Sequence, residues 1–523
     1  MTRASGWALA APERHAAEAG AAAFAAGGNA IDAALATAVA LAVTYPHNCG
    51  VGGDLFAVVR HADGRSVSVN ASGPAARAAD AAAQRARGPR MPMTGPDPVT
   101  VPGVVRGWEH LHALGALRPW HAAFEAARRH AEDGVEVPAS LAAALAHAGA
   151  DVALDAGMTE VFRPAGAALE EGDRLRQPAL ARTLGRIAEH GAAELYAGDT
   201  AARLLAGLAR HGSLLDERDF AHFTPEETPP LAGRFRDLTL LTSPPNASGV
   251  LLLQALAALE FADPPADPLA GGAGLLADLI RSGAEQREAM LADPRAHGPD
   301  LDAWLGEARL TELIAAAHAP RAAPAGARPS GDTVAVVAAD GSGMAVSLIQ
   351  SLFASFGACV LDPATGVLLH NRGASFSLEP GHPNELAGGR RPSHTLMPLV
   401  VERDGELAGV LGTMGGTAHA QVLAQVLLAI LAGLDPQAAV AAPRWIVGGL
   451  DPGEPAALVR VEEGVPATAI SALEERGLDV RAIPWPSEDV GHAQAIWSTD
   501  RALRPGSDPR ADGAAVAGTV EPG

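Results

Sequence analysis

The chain has 523 residues, with 39 Lys+Arg against 60 Asp+Glu for a net charge of −21, and only two cysteines. An acidic surface repels a phosphate backbone, which excludes nucleic acid as a partner. Lysine is absent altogether, and with it go lysine Schiff bases, pyridoxal phosphate attachment and the Walker phosphate-binding lysine.

Length alone suggests several domains or one large layered domain. The N-terminus lacks the basic start, apolar core and cleavage site of a signal peptide, which predicts a cytoplasmic protein. Helical periodicity covers Arg14 to Ala26 and Asn29 to Val43. The apolar run from Ala30 to Tyr45 carries Asp32 and is too short to span a bilayer, so no membrane partner is expected. Alternation at Leu55 to Arg60 and Ser66 to Asn70 predicts a hairpin. Helices are then expected over Val104 to Ala131, Ser140 to Ala148, Leu180 to His190, Ala201 to His211, Leu251 to Leu259, Leu269 to Leu291 and Leu301 to Ala317, with a strand at Leu238 to Thr242.

The texture changes after the Pro/Gly/Ala-rich run Ala319 to Gly331. Strands are expected at Thr333 to Ala339, Met344 to Ser351, Val367 to Leu369, Leu396 to Val401, Leu407 to Gly412 and Ala493 to Ser498, with a helix over Ala418 to Leu431 and a loose tail from Gly518 to Gly523. A helix-rich first part and a strand-rich second part suggest sheets sandwiched between helices.

Thr333 stands where the loop ends in Asp332 and a strand begins. Threonine is a good strand former, which by itself accounts for the residue. A hydroxyl there can also attack the peptide bond before it, and a new N-terminal threonine then carries both a nucleophile and its own base. The free amine has a reference pKa of about 7.7 to 8.0, so part of it is neutral near physiological pH. Gly412-Thr413-Met414-Gly415-Gly416 closes a strand and opens a helix, a place where backbone N–H groups can converge on a developing negative charge.

These segments occur in a specific order: GGNAIDAALATAVALAV from Gly27, PHNCGVGGD from Pro46, SPPNASGV from Ser243 and GDTVAVV from Gly331. AVSLIQSLFASFG from Ala345, HNRGASFSLEPGHPN from His370, RRPSHTLMP from Arg390, GTMGG from Gly412 and SDPRADG from Ser507 follow. The order resembles the gamma-glutamyltransferase (gamma-glutamyltranspeptidase) family of N-terminal nucleophile hydrolases over essentially the whole chain. The resemblance implies an α/β (α+β) fold, a four-layer αββα sandwich, self-cleavage between Asp332 and Thr333, and one globular unit assembled from fragments 1–332 and 333–523. It implies an acyl-enzyme on Thr333 that is passed to water or to an amino acid or peptide acceptor, with glutathione-like gamma-glutamyl amides as substrates. Glutaryl or cephalosporin-type acyl groups, or an uncleaved relative that only binds, are the alternatives.

By position, Ser351 falls where the family has a threonine that assists the nucleophile, and Gly415 and Gly416 match its oxyanion glycines. His394 and Thr395 fall on a pair of serines near the substrate. The departures concern the glutamyl group: Asn70 replaces the arginine that holds the α-carboxylate, Ser375 the aspartate that holds the α-amino group, Arg372 a glutamine and Phe353 an asparagine. The lid segment of some family members is expected to be absent, since only a short Gly/Arg stretch separates Pro383 from Pro392. The expectation is an open acyl pocket in which Arg372 meets a carboxylate or is bound within the structure. No cofactor or metal is implied, and a homodimer is left open.

Other readings carry less. Cys49 beside His47 suggests a thiol nucleophile or a small buried residue, and a bridge from Cys49 to Cys359 is left open. Gly373-Ala374-Ser375-Phe376-Ser377 lacks the context of a serine-hydrolase elbow. His110, His112, His121 and His130 lack metal-site spacing. Gly50-Val51-Gly52-Gly53 lacks the dinucleotide fingerprint and reads as a tight turn.

Overall fold

In the computed structural model, which describes residues 6–262, 267–318, 332–448, 454–455, 457–499 and 502–519, side chains of the Asp332–Asp340 strand alternate between two environments. Val334, Val336 and Ala338 join a core with helices Arg14–Ala25 and Ala30–Thr44. Val337 and Ala339 instead meet Leu241, Val400, Val410 and Ile496 from another sheet. The period-2 geometry of a strand thus gives one sheet a helix-facing side and a sheet-facing side.

That first sheet has seven strands, in the order Ala514–Gly518, Trp7–Ala11, Asp332–Asp340, Ala345–Phe353, Asp54–Arg60, Ser66–Ala71 and Glu226–Thr228. The second has six: Ala502–Ser507, Ala493–Thr499, Glu406–Thr413, Leu399–Arg403, Leu238–Thr242 and Leu231–Phe235. Its outer face contributes Leu240, Leu399, Val401 and Leu411 to a core with helices Gly249–Phe261, Ala273–Met290 and His419–Leu431. Helices, sheet, sheet and helices form the expected αββα sandwich. Among the described residues no helix is long and apolar enough to cross a membrane.

Local signals account for many element boundaries. Asn29 caps the Ala30–Thr44 helix in a capping box with Asp32, which binds the Asn29 N–H in return. Val104 to Ala131 is not one helix: Val104–Ala113 and Glu125–Asp133 are separate, with a short 3₁₀ turn at Trp120–Phe124 between them. Gly115, at φ +133°, and Pro119 interrupt the run. The segment from Leu301 divides at Gly306 into Leu301–Leu305 and Glu307–His318.

Trp7–Ala11 gives no strand signal because it is mostly alanine, yet it lies between two partners in the first sheet. Gly518, the expected start of a loose tail, closes the Ala514–Gly518 strand and pairs with Trp7. The loop expected at 319–331 lies outside the described residues, as do 520–523. No disulfide joins Cys49 and Cys359.

Candidate active site

Thr333 and Ser351 meet at one end of the central strand pair. Ala345–Phe353 runs antiparallel to Asp332–Asp340, and a register shift between Gln350 and Phe353 sets Phe353 opposite Asp332. Phe353 takes φ +80°, a conformation that a bulky side chain adopts only under structural constraint. Within this irregularity the Thr333 hydroxyl donates to Ser351 Oγ at 3.1 Å. Ser351 donates in turn to the carbonyl oxygen of Asp332 at 2.6 Å and accepts the Phe353 N–H at 2.8 Å. Both hydroxyl residues are buried. The Thr333 hydroxyl, the Ser351 hydroxyl and the carbonyl between residues 332 and 333 are therefore linked in one short chain.

The Asp332 carboxyl is pushed up to about 7, by burial first and by the negative charge of Glu488 second. Glu488 is itself raised to about 7, by burial and by Asp512 and Asp489. The residue before Thr333 thus resists ionisation.

Gly412 lets the second sheet approach these strands. A Cβ there would meet Ile349 Cδ1 at 2.8 Å and Ala335 Cβ at 3.0 Å. Ser347 fastens the layers by donating to the Leu411 carbonyl at 2.7 Å and accepting the Leu399 N–H at 3.2 Å. Beyond Thr413 the chain turns through Gly415, at φ +142°, and Gly416, at φ +55°, into the His419–Leu431 helix. These angles favour glycine and turn backbone N–H groups at a helix N-terminus.

Arg372 is 1% exposed, and its Cζ lies 3.6 Å from the centre of the Phe353 ring. Its Nη2 donates to Thr395 Oγ1 at 3.1 Å and its Nη1 to the Ser393 carbonyl at 3.3 Å. The expected Arg372 group therefore gathers Phe353 and Thr395. Ser375 supports it from behind, its hydroxyl bonded to the carbonyls of Arg372 and Ser393.

Asn70 is engaged elsewhere. Its Oδ1 accepts from the backbone and hydroxyl of Ser72, and its Nδ2 donates to Asn246. His394 faces Asp54, with Nε2 3.2 Å from Oδ2, while Nδ1 lies 3.4 Å from the Leu396 N–H. The carboxylate fixes the tautomer: Nε2–H donates to Asp54, and Nδ1 accepts. Burial, followed by the Arg372 charge, lowers His394 to about 3, so the ring is neutral.

Several participants escape the sequence patterns. Burial raises the pKa of Asp54, but His370, His394 and the Gly73 N–H together outweigh it and leave the carboxyl lowered. His419 and His492 stand around the glycine turn, neutral because burial lowers them to about 3 and about 4. Gly52-Gly53-Asp54 was the available signal for the first, whereas nothing in the spacing of the histidines indicates their convergence.

Among the described residues no group of three or more His, Cys, Asp or Glu side chains could hold a metal ion. Cys49 is buried and its thiol is pushed up to about 12 by burial, a poor state for a nucleophile.

The described geometry has close counterparts. The model of the gamma-glutamyltranspeptidase family matches residues 16–518. The oxamate amidohydrolase proenzyme of Klebsiella pneumoniae is 34% identical over 502 residues, 94% of each chain. The glutathione hydrolase-like YwrD proenzyme of Bacillus subtilis is also 34% identical, over 94% of each chain. In structure, the cephalosporin acylase of Bacillus halodurans superposes with a TM-score of 0.88 at 31% identity, covering 98% of this chain and 96% of that one. The fold is that of the N-terminal nucleophile hydrolases, and the chain belongs to the gamma-glutamyltranspeptidase family of hydrolase and transferase enzymes.

Proposed function

We propose that Thr333 cuts the bond to Asp332 and then serves as the nucleophile of an amide hydrolase or acyltransferase that accepts gamma-glutamyl and related amides. The hydrogen-bonded chain from Thr333 through Ser351 to the Asp332 carbonyl carries this reading. In self-cleavage, Thr333 Oγ1 adds to the Asp332 carbonyl carbon while its proton passes to Ser351, which gives its own to the carbonyl oxygen. Collapse breaks the C–N bond, the nitrogen takes up a proton, and water hydrolyses the resulting ester. Asp332 leaves as a carboxylate, and Thr333 acquires a free amine.

In turnover that amine takes the hydroxyl proton, Thr333 attacks the substrate carbonyl, and the N–H groups of Gly415 and Gly416 receive the oxyanion. The leaving amine departs protonated, and water or an amino acceptor releases the acyl group. The products of maturation are fragments 1–332 and 333–523, held together as one unit. The oxamate amidohydrolase and cephalosporin acylase among the relatives support a wider range of acyl groups than gamma-glutamyl alone.

A denaturing gel with intact-mass analysis tests the reading, run beside turnover of gamma-glutamyl anilide with and without glycylglycine. The wild type should give two fragments beginning at Met1 and Thr333, and Thr333→Ala one inactive chain. An uncut wild type, or cleavage that persists in Thr333→Ala, would refute it.

A further inference from the structure

We propose that Asp508 is a positioning residue for acyl transfer: fixed by Arg444 and Arg510, it holds the segment 487–493 against Met414 and so aims the N–H groups of Gly415 and Gly416. The proposal rests on those two groups as the oxyanion donors and adds what keeps them in place.

The glycine turn has little support of its own. Gly415 and Gly416 take φ of +142° and +55°, backbone that glycine adopts most freely, and among the described residues no side chain caps the helix that follows. Support comes from the neighbouring strand. Ala493–Thr499 pairs with Glu406–Thr413, and His492 extends the ladder, its carbonyl accepting the Met414 N–H at 2.9 Å and the Thr413 hydroxyl at 2.9 Å. Gly491, at φ +71°, packs so closely that a Cβ there would collide with the Met414 carbonyl oxygen. A displacement of 487–493 therefore moves Met414, the residue before the glycine pair.

Two carboxylates hold the ends of that segment. Glu462 accepts the Ser487 N–H at 3.0 Å. Asp508 exchanges two hydrogen bonds with Ala493, accepting its N–H at 2.9 Å and donating to its carbonyl at 3.1 Å. Arg510 spans the two acids, with Nη1 2.8 Å from Asp508 Oδ1 and Nε 2.7 Å from Glu462 Oε1, and Arg444 donates from Nη2 to the other oxygen of Asp508. All four side chains are buried. Burial raises the Asp508 carboxyl, but Arg444, Arg510 and two backbone N–H groups outweigh it and leave the group lowered, hence ionised.

Well-packed apolar residues commonly match such a cluster in stability, whereas buried charges are satisfied in one arrangement only. Four of them beside an oxyanion turn point to registry as their use. The SDPRADG segment from Ser507 supplies Asp508 and Arg510 together.

The test uses the mature enzyme and the better of gamma-glutamyl and glutaryl anilide. In Asp508→Ala, kcat should fall about 10-fold or more while KM stays within about twofold, the split expected when the transition state alone loses an interaction. Asp508→Asn, which keeps one oxygen for Ala493, should lie between it and the wild type. Fragments should still form in both, because Ser351 serves the Asp332 carbonyl. Thr413→Val removes one hydrogen bond to His492, leaves the four charges intact and should lower kcat about 3- to 10-fold. Arg60→Gln is the control: Arg60 binds Glu402 at 2.9 Å at the far end of the Asp54–Arg60 strand, so its loss should lower Tm with kcat unchanged. An unchanged kcat in folded Asp508→Ala would overturn the proposal, and should that variant not fold, an unchanged kcat in Thr413→Val would do so. An equal fall in Arg60→Gln would overturn it too, by reducing the effect to lost stability. Turnover retained in Gly415→Ala would instead remove the reading on which it rests.

Discussion

The hydroxyl of Ser351 donates a 2.6 Å hydrogen bond to the carbonyl oxygen of Asp332, the oxygen that takes the Ser351 proton in the proposed addition of Thr333 to the adjoining carbon. Ser351→Ala removes this donor and the relay for the Thr333 proton together. Loss of a single oxyanion donor typically slows acyl transfer by about 10²- to 10³-fold. Fragment formation followed on a gel should slow by at least about 10²-fold, while Ser351→Thr, which keeps the hydroxyl, should continue to process.

Asp332 gives the unprocessed chain a pH-dependent weakness. Its carboxyl rises from the ordinary 3.8 to about 7, so the folded chain keeps a proton that the unfolded chain releases. This contribution to stability is complete below about pH 4 and is lost as pH rises through about 7. In the Thr333→Ala background, Asp332→Asn should match its parent in Tm at low pH and exceed it at pH 8. An equal difference at both values would contradict the assignment.

Gly415 tests the turn near the oxyanion. A Cβ at this position would find nothing closer than 3.7 Å, so space is not the obstacle. Its φ of +142° is, and it is essentially reserved for glycine. Gly415→Ala should therefore lose turnover by about 10²-fold through displaced N–H donors. A large fall in kcat with folded protein retained on circular dichroism is the expected signature.

Cys49 should be chemically quiet. With its thiol at about 12 and its side chain buried, iodoacetamide should leave native turnover intact. Cys49→Ala should keep kcat/KM within about twofold, because it exchanges one small buried residue for another. Inactivation by the reagent in step with alkylation of Cys49 would revive the thiol nucleophile.

The sequence reveals the parts of this fold that leave local marks. Strands with regular alternation, such as Ser66–Ala71, and the glycine turn after Thr413 are visible because spacing and backbone angle are properties of neighbouring residues. Trp7–Ala11 is silent because its strand character comes from the two partners that flank it. The same limit applies at the site. Thr333 and Ser351 lie on adjacent strands and share a motif, whereas Asp54 reaches His394 across 340 positions of chain. Such a pair is created by sheet packing, and nothing in the order of residues anticipates it.

The seven-stranded sheet also determines what a break after Asp332 can do. Trp7–Ala11 is hydrogen-bonded on one side to Ala514–Gly518 and on the other to Asp332–Asp340, and Ala345–Phe353 pairs with Asp54–Arg60. The second sheet joins Leu238–Thr242 to Leu399–Arg403. Each piece is therefore laced into the other like the halves of a zip. Hydrolysis can release an amine at Thr333 without releasing a subunit, and either half produced alone would leave some of its strands without the partners that the other supplies.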